Sequence, residues 1–172
     1  KFEGYAGSGE QAGKIQKLAE INLEEVPRFS SGMQEFDRVL GGGLVPGSAI
    51  LIGGHPGAGK STLLLQVMCY LAQSMQTLYI TGEESLQQVA RRAQRLKLPM
   101  LSETNVEAIT RVAQKEQPKV IVIDSIQVMN MDGIESAPGS VTQVRECSAY
   151  LTRFAKQTNT VLFLVGHVTK DG

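Results

Sequence analysis

Four runs of branched and long apolar residues mark the chain, and between them apolar positions return every three or four residues. Short continuous runs bounded by glycine and polar residues predict buried strands, and the wider spacing predicts helices packed on one face. The strand segments are 48–53, 76–81, 119–124 and 160–166. The helical segments are 62–72, 85–96, 106–114 and 139–156. Leu86, Val89, Ala93 and Leu96 form the inner face expected of the second helix. Val141, Val144, Tyr150, Leu151 and Phe154 form that of the last. The run 120–123 has no polar interruption, as expected of a strand covered on both sides. Alternating strands and helices build an α/β fold, a mostly parallel sheet with helices on both faces.

The lead-in reads differently. Residues 1–22 are poor in bulky apolar side chains, and Gly4, Gly7, Ser8, Gly9 and Gly13 give the first half a linker composition. The division expected is a linker over 1–24 and a folded core over 25–172. Segment 29–40 opens with capping residues, and Met33, Phe36, Val39 and Leu40 follow at helical spacing. Gly41, Gly42 and Gly43 end that short helix, and Pro46–Gly47 turns the chain into the first strand.

Composition narrows the class only a little. The 172 residues are 42% hydrophobic and 20% charged, ordinary for one soluble domain with a sizeable core. No stretch approaches a membrane span, and no charged-then-apolar leader opens the chain, so neither membrane nor secretion is expected. Seventeen basic residues balance seventeen acidic ones. DNA binding therefore has no support from overall charge and needs other grounds. Cys69 and Cys147 lie in predicted helices without a partner at metal spacing, which reads as two packed, reduced thiols in a cytoplasmic protein.

Chemistry is concentrated between the first strand and the helix after it. Gly54, His55, Pro56, Gly57, Ala58, Gly59, Lys60 and Ser61 fit G-x-x-x-x-G-K-[ST], and strand and helix stand where that motif needs them. The glycines let successive backbone N–H groups turn inward onto a phosphate, and the helix start adds positive dipole there. Lys60 reaches the β- and γ-phosphates, Ser61 takes a Mg²⁺ position, and Thr62 completes the loop's set. An apolar strand ending in Asp124 supplies a second carboxylate for the metal. Ser125 follows it, where several triphosphatase classes have a water-polarising Glu, so the base is sought elsewhere. Glu83 and Glu84 end the neighbouring strand, in the crevice where parallel sheets bind ligands. Glu83 is the expected base and Glu84 its support; the bland alternative is a pair of solvated helix-start acids. His167 and Ser125 are candidate γ-phosphate sensors. Lys170 is a loop cation, and Arg91, Arg92, Arg95 and Lys97 read first as a solvated face. Met129, Met131, Gly133, Pro138 and Gly139 mark a loop of functional interest.

Segments 29–47, 81–90, 122–129 and 166–172 together resemble the RecA-like P-loop ATPases, including the KaiC and DnaB branches, and within them a bacterial DNA repair and recombination branch. The resemblance runs from about Gly4 to Gly172. It implies an ATP-dependent motor on single-stranded and branched DNA. It also implies a homo-hexameric ring and branch migration alongside the RecA recombinase, with ATP/ADP and Mg²⁺ as cofactors. It implies that Lys60, Ser61 and Asp124 hold phosphate and metal, and that Glu83 stands where RecA-like proteins keep the catalytic glutamate. Parts of that family have no counterpart in this sequence: an N-terminal four-cysteine zinc ribbon, a Lys-Asn-Arg-Phe-Gly motif and a Lon-protease-like carboxyl domain. The join 98–102 is shorter than the family's, which carries more residues and a small strand lead-in between Pro99 and Ser102. Three other classes share the loop: a KaiC-like regulatory ATPase with protein partners, a small-molecule kinase, and an assembly module that binds nucleotide without hydrolysis. DNA stimulation, acceptor phosphorylation and ADP binding without turnover separate them.

Overall fold

The computed structural model describes residues 15–20, 27–55, 59–92 and 97–167. Within it, strands β1 (Ala49–Ile52), β2 (Thr77–Thr81), β3 (Met100–Ser102), β4 (Val120–Asp124) and β5 (Val161–Val165) form one sheet in the order β1-β5-β4-β2-β3. Every pairing in that sheet is parallel. Helices α1 (Gln34–Val39), α2 (Lys60–Leu71), α3 (Leu86–Arg92), α4 (Val106–Glu116) and α5 (Val141–Thr158) follow in chain order.

The apolar runs work because the sheet has two covered faces. Tyr79, Val120, Val122, Val161, Phe163 and Val165 point to one layer, where they meet Leu64, Leu65, Val67, Met68 and Leu71 of α2 and Val89 of α3. Leu78, Ile80, Ile121, Ile123, Leu162 and Leu164 point to the other, against Ile109 and Ala113 of α4 and Cys147, Leu151 and Ala155 of α5. Each fully buried side chain of this size contributes about 1.5–3 kcal/mol. Phe36 of α1 lies over Phe163 with ring centroids 5.9 Å apart and so ties the lead-in to the sheet.

That lead-in is held by a carboxylate rather than by a helix cap. Asp37 accepts from Ser30 Oγ at 2.6 Å and from the Ser31 backbone N–H at 2.8 Å. Burial works against its charge, but these donors outweigh it and hold the carboxyl below its usual range. The helix begins at Gln34, several residues inside the expected segment.

The other strand and helix segments stand where the patterning puts them, with three corrections. The sheet has a fifth strand, β3, in the join read as a short connection; its Leu101 and Ser102 pair with Ile80 and Thr81. β1 stands at the edge of the described sheet: Leu51 is 69% exposed, while its register partner Leu164 is buried. Val39 and Val141 are solvent-exposed, and Leu86 is partly so. These three lie at helix ends, where the apolar stripe overhangs the sheet. Gln143, which the apolar pattern does not mark, is buried in α5. Ala93 and Leu96 lie outside the described residues, as does most of the 1–24 linker segment, in which Leu18–Glu20 forms a 3₁₀ turn. Among the described residues no helix is long and apolar enough to cross a membrane.

The register places the site. Ile52, Val165, Asp124, Thr81 and Ser102 sit side by side across the sheet. The segments leaving β1, β5, β4 and β2 therefore start from one level, at the carboxyl edge where parallel sheets bind ligands.

Candidate functional site

Gly54 leaves β1 with φ 157°, and Gly59 enters α2 in the left-handed region at φ 79°, its N-cap position. A side chain at Gly59 would be strained there, and a Cβ on Gly54 would crowd Lys60 Cδ at 3.3 Å. Pro56, Gly57 and Ala58 lie outside the described residues. His55, Gly59 and Thr62 are exposed at the mouth.

Lys60 opens α2 and is nine-tenths buried. Its Nζ donates to the carbonyls of Gly54 at 2.7 Å and Gly166 at 2.8 Å, and lies 3.2 Å from His167 Nδ1. Among the described residues it meets no carboxylate. Its partners are neutral carbonyls rather than a counter-charge, so the loop mouth is a place for an anion.

Asp124 ends β4 beside it and is 7% exposed. Its Oδ2 accepts from Ser61 Oγ at 2.7 Å and from the Tyr79 hydroxyl at 2.6 Å. Burial first, and then the Asp124 charge, push the Tyr79 hydroxyl far above its usual range, so the phenol stays a donor. A carboxylate and a serine hydroxyl in contact form an all-oxygen set, which fits Mg²⁺.

The third group gathers around Glu83, just past β2. Glu83 Oε1 accepts from Ser125 Oγ at 2.7 Å, and its Oε2 stands 3.5 Å from His167 Nε2. His167 thus lies between Glu83 and Lys60, one ring nitrogen toward each. Gln127, in the 3₁₀ turn Ile126–Val128, closes the circle by donating from Nε2 to the His167 carbonyl at 3.2 Å. Glu83 is 40% exposed, open to water on its outer side.

Lys60, Ser61, Asp124, Glu83, Ser125 and His167 are therefore brought together. Glu84 is not: its Oε1 pairs with Arg92 of α3 at 2.7 Å, on the far side of the turn. The chain bends at 82–84, and the two carboxylates leave it toward different partners, Glu83 toward Ser125 and Glu84 toward Arg92. Ser85 caps the start of α3, exchanging hydrogen bonds with Gln88. Arg92 is thereby a paired cation, while Arg95 and Lys170 lie outside the described residues.

The loop after β4 is fixed rather than free. Buried Gln143 accepts from the Met131 N–H at 3.3 Å and donates to the Ser136 carbonyl at 3.0 Å. Asn130 bonds the backbone and side chain of Thr104, and the Asp132 N–H reaches Glu107 Oε1 at 2.8 Å.

Tyr79 and Gln127 escaped the sequence reading. For Tyr79 a signal existed: it lies two residues before Thr81, the register partner of Asp124, and so on the same face. Nothing marked Gln127.

Comparison with known proteins places these features in a group. The AAA domain family matches residues 24–172. The chain is 67% identical to the DNA repair protein RadA of Escherichia coli (strain K12), over 177 residues that take in 100% of this chain and 38% of the relative. The aligned stretch exceeds the chain's 172 residues, so the relative carries residues here without a counterpart. The DNA repair protein RadA of Pseudomonas aeruginosa is 56% identical and that of Bacillus subtilis 48%, each over 98% of this chain and 38% of the relative. The chain thus spans less than two-fifths of the length of these relatives.

Proposed function

Because the chain belongs to the AAA domain family, we propose that it binds ATP with Mg²⁺ on the 54–61 loop and hydrolyses it, as the ATPase module of a DNA repair protein. The observation that carries this is the buried Lys60 ammonium, held by two carbonyls beside the Ser61–Asp124 pair.

Each residue then has a defined task. Lys60 exchanges its carbonyl partners for the β- and γ-phosphate oxygens, with Gly54 and Gly59 shaping the backbone cradle around them. Ser61 and Asp124 hold Mg²⁺, which neutralises phosphate charge when bound. Glu83 orients the attacking water and takes its proton, with one oxygen fixed by Ser125. His167 contacts both the phosphate lysine and the base, so it is placed to register an arriving γ-phosphate.

For the whole protein, we propose a cytoplasmic homo-hexameric motor that translocates on single-stranded DNA and promotes branch migration with the RecA recombinase. The segment 1–24 serves as the linker from a zinc ribbon, and 25–172 as the ATPase core. The relatives' name and identity support the DNA repair part of this reading, and the resemblance of segments 29–47, 81–90, 122–129 and 166–172 to the RecA-like ATPases supports the rest.

The test is nucleotide binding and Mg²⁺-dependent hydrolysis with Lys60→Ala beside the parent, on this chain and on a protein extended to the relatives' length, with and without single-stranded DNA. Loss of nucleotide binding in the variant and DNA-stimulated turnover in the long parent are expected. Unchanged hydrolysis by Lys60→Ala would overturn the loop assignment. Turnover indifferent to DNA would replace the motor with an ATPase that answers to protein partners.

A further inference from the structure

Tyr79 is a phenol in the middle of an apolar strand, and its side chain is wholly buried. A buried hydroxyl needs an acceptor. Across β4, Tyr79 is level with Val122, and the next residue of β4 on that face is Asp124. The ring reaches along the sheet to that carboxylate and donates to it at 2.6 Å. Among the described residues its acceptor is this carboxylate and not a backbone carbonyl, the commoner partner of a side-chain donor.

The geometry at Asp124 is one-sided. A carboxylate has about two lone-pair positions on each oxygen. Tyr79 and Ser61 both donate to Oδ2, at 2.6 and 2.7 Å, which fills that oxygen. Oδ1 accepts no hydrogen bond from the described residues. Two donors on one oxygen fix the rotation of the carboxylate, and only one of them, Ser61, lies on the loop that meets nucleotide. The other is locked in the core, packed in the cluster that also holds Val122 and Phe163.

We propose that Tyr79 is a positioning residue for the metal side of the site: its hydroxyl pins Oδ2 of Asp124 and turns Oδ1 toward the Mg²⁺ position. This rests on the reading of Asp124 as a metal-site carboxylate. Tyr79 acts through Asp124, the carboxylate its hydroxyl bonds. Groups that orient a metal's ligands from behind typically change affinity by about tenfold or more when removed.

The test is a Mg²⁺ titration of ADP binding, followed by calorimetry, with ADP affinity in EDTA as the reference. Tyr79→Phe removes only the hydroxyl, and Tyr79→Leu removes the ring as well. Both are expected to raise the half-saturating Mg²⁺ concentration by the same factor, about tenfold, although Tyr79→Leu melts at a lower temperature. In an Asp124→Asn background, adding Tyr79→Phe should leave the Mg²⁺ requirement where Asp124→Asn alone puts it. A Tyr79→Phe protein with the parent's Mg²⁺ requirement would overturn the proposal. So would a shift that grows from Phe to Leu in step with the fall in melting temperature, since packing would then explain it. A parent whose ADP binding ignores Mg²⁺ would instead remove the metal reading of Asp124, and this proposal with it.

Discussion

Ser125 Oγ donates to Glu83 Oε1 across 2.7 Å, joining the residue after β4 to the second residue past β2. The contact bridges two strand exits that the register already holds level at Thr81 and Asp124. The contact fixes one oxygen of Glu83, and the other stands 3.5 Å from His167 Nε2.

Glu83→Gln should keep nucleotide binding and lose hydrolysis by about a hundredfold or more. Ser125→Ala keeps the base but frees it, and about a tenfold lower kcat with little change in KM for ATP is expected, since one neutral-to-charged hydrogen bond is at stake. Steady-state kinetics of both variants checks this. A larger loss from Ser125→Ala than from Glu83→Gln would show that the base is elsewhere.

Glu84→Gln should turn over near the parent's rate. Its ion pair with Arg92 is about a third exposed on both sides, so the change in stability is expected to stay within about 1 kcal/mol. Hydrolysis assays beside urea melts decide it. An inactive Glu84→Gln with an active Glu83→Gln would exchange the roles of the two acids.

Gly82→Ala should cost about 1–3 kcal/mol by overpacking. A Cβ there would meet Val128 Cγ2 at 2.5 Å and Met129 Cε at 3.1 Å, the side chains that floor the Glu83 turn. The variant's kcat is expected to fall as well, because the strain is released next to the base. Parent-like stability and turnover together would show that the turn yields freely.

Burial pushes the Cys147 thiol up to about 11 from 9.0, and the Glu146 charge adds to the effect. The unfolded thiol therefore ionises first as pH rises. Between about 9 and 11 the unfolded chain binds fewer protons than the folded one, and stability falls with pH. Chemical denaturation of the parent and of Cys147→Ala at pH 8 and pH 10.5 should show the larger loss in the parent. Equal losses would mean that other groups carry the alkaline effect.

Much of this was legible in the chain. Strands with both faces covered announce themselves as unbroken apolar runs, as in Val120–Asp124, and the glycine loop declares its chemistry through spacing alone. β3 was hidden because three residues after a proline, Met100–Ser102, make no run; their strand state comes from β2 beside them. Val39, Val141 and Leu86 follow the helical period yet face water, since periodicity gives a stripe and not where its partner ends. Glu83 and Glu84 are alike as letters, and only the direction of the chain leaving Thr81 separates them. Tyr79 went unmarked because its bond to Asp124 depends on the reach of its ring to a neighbouring strand.

The level row of strand ends has a mechanical meaning: the sheet keeps its tolerances on one side only. Residues added before Met100 enter at the amino edge, where Pro99 hands the chain to β3, and the spacing of Lys60, Asp124 and Glu83 does not register them. One residue added inside β4 would advance Asp124 by about 3.3 Å and turn it to the opposite face. Length can drift at one edge of this molecule while the other behaves as a machined datum.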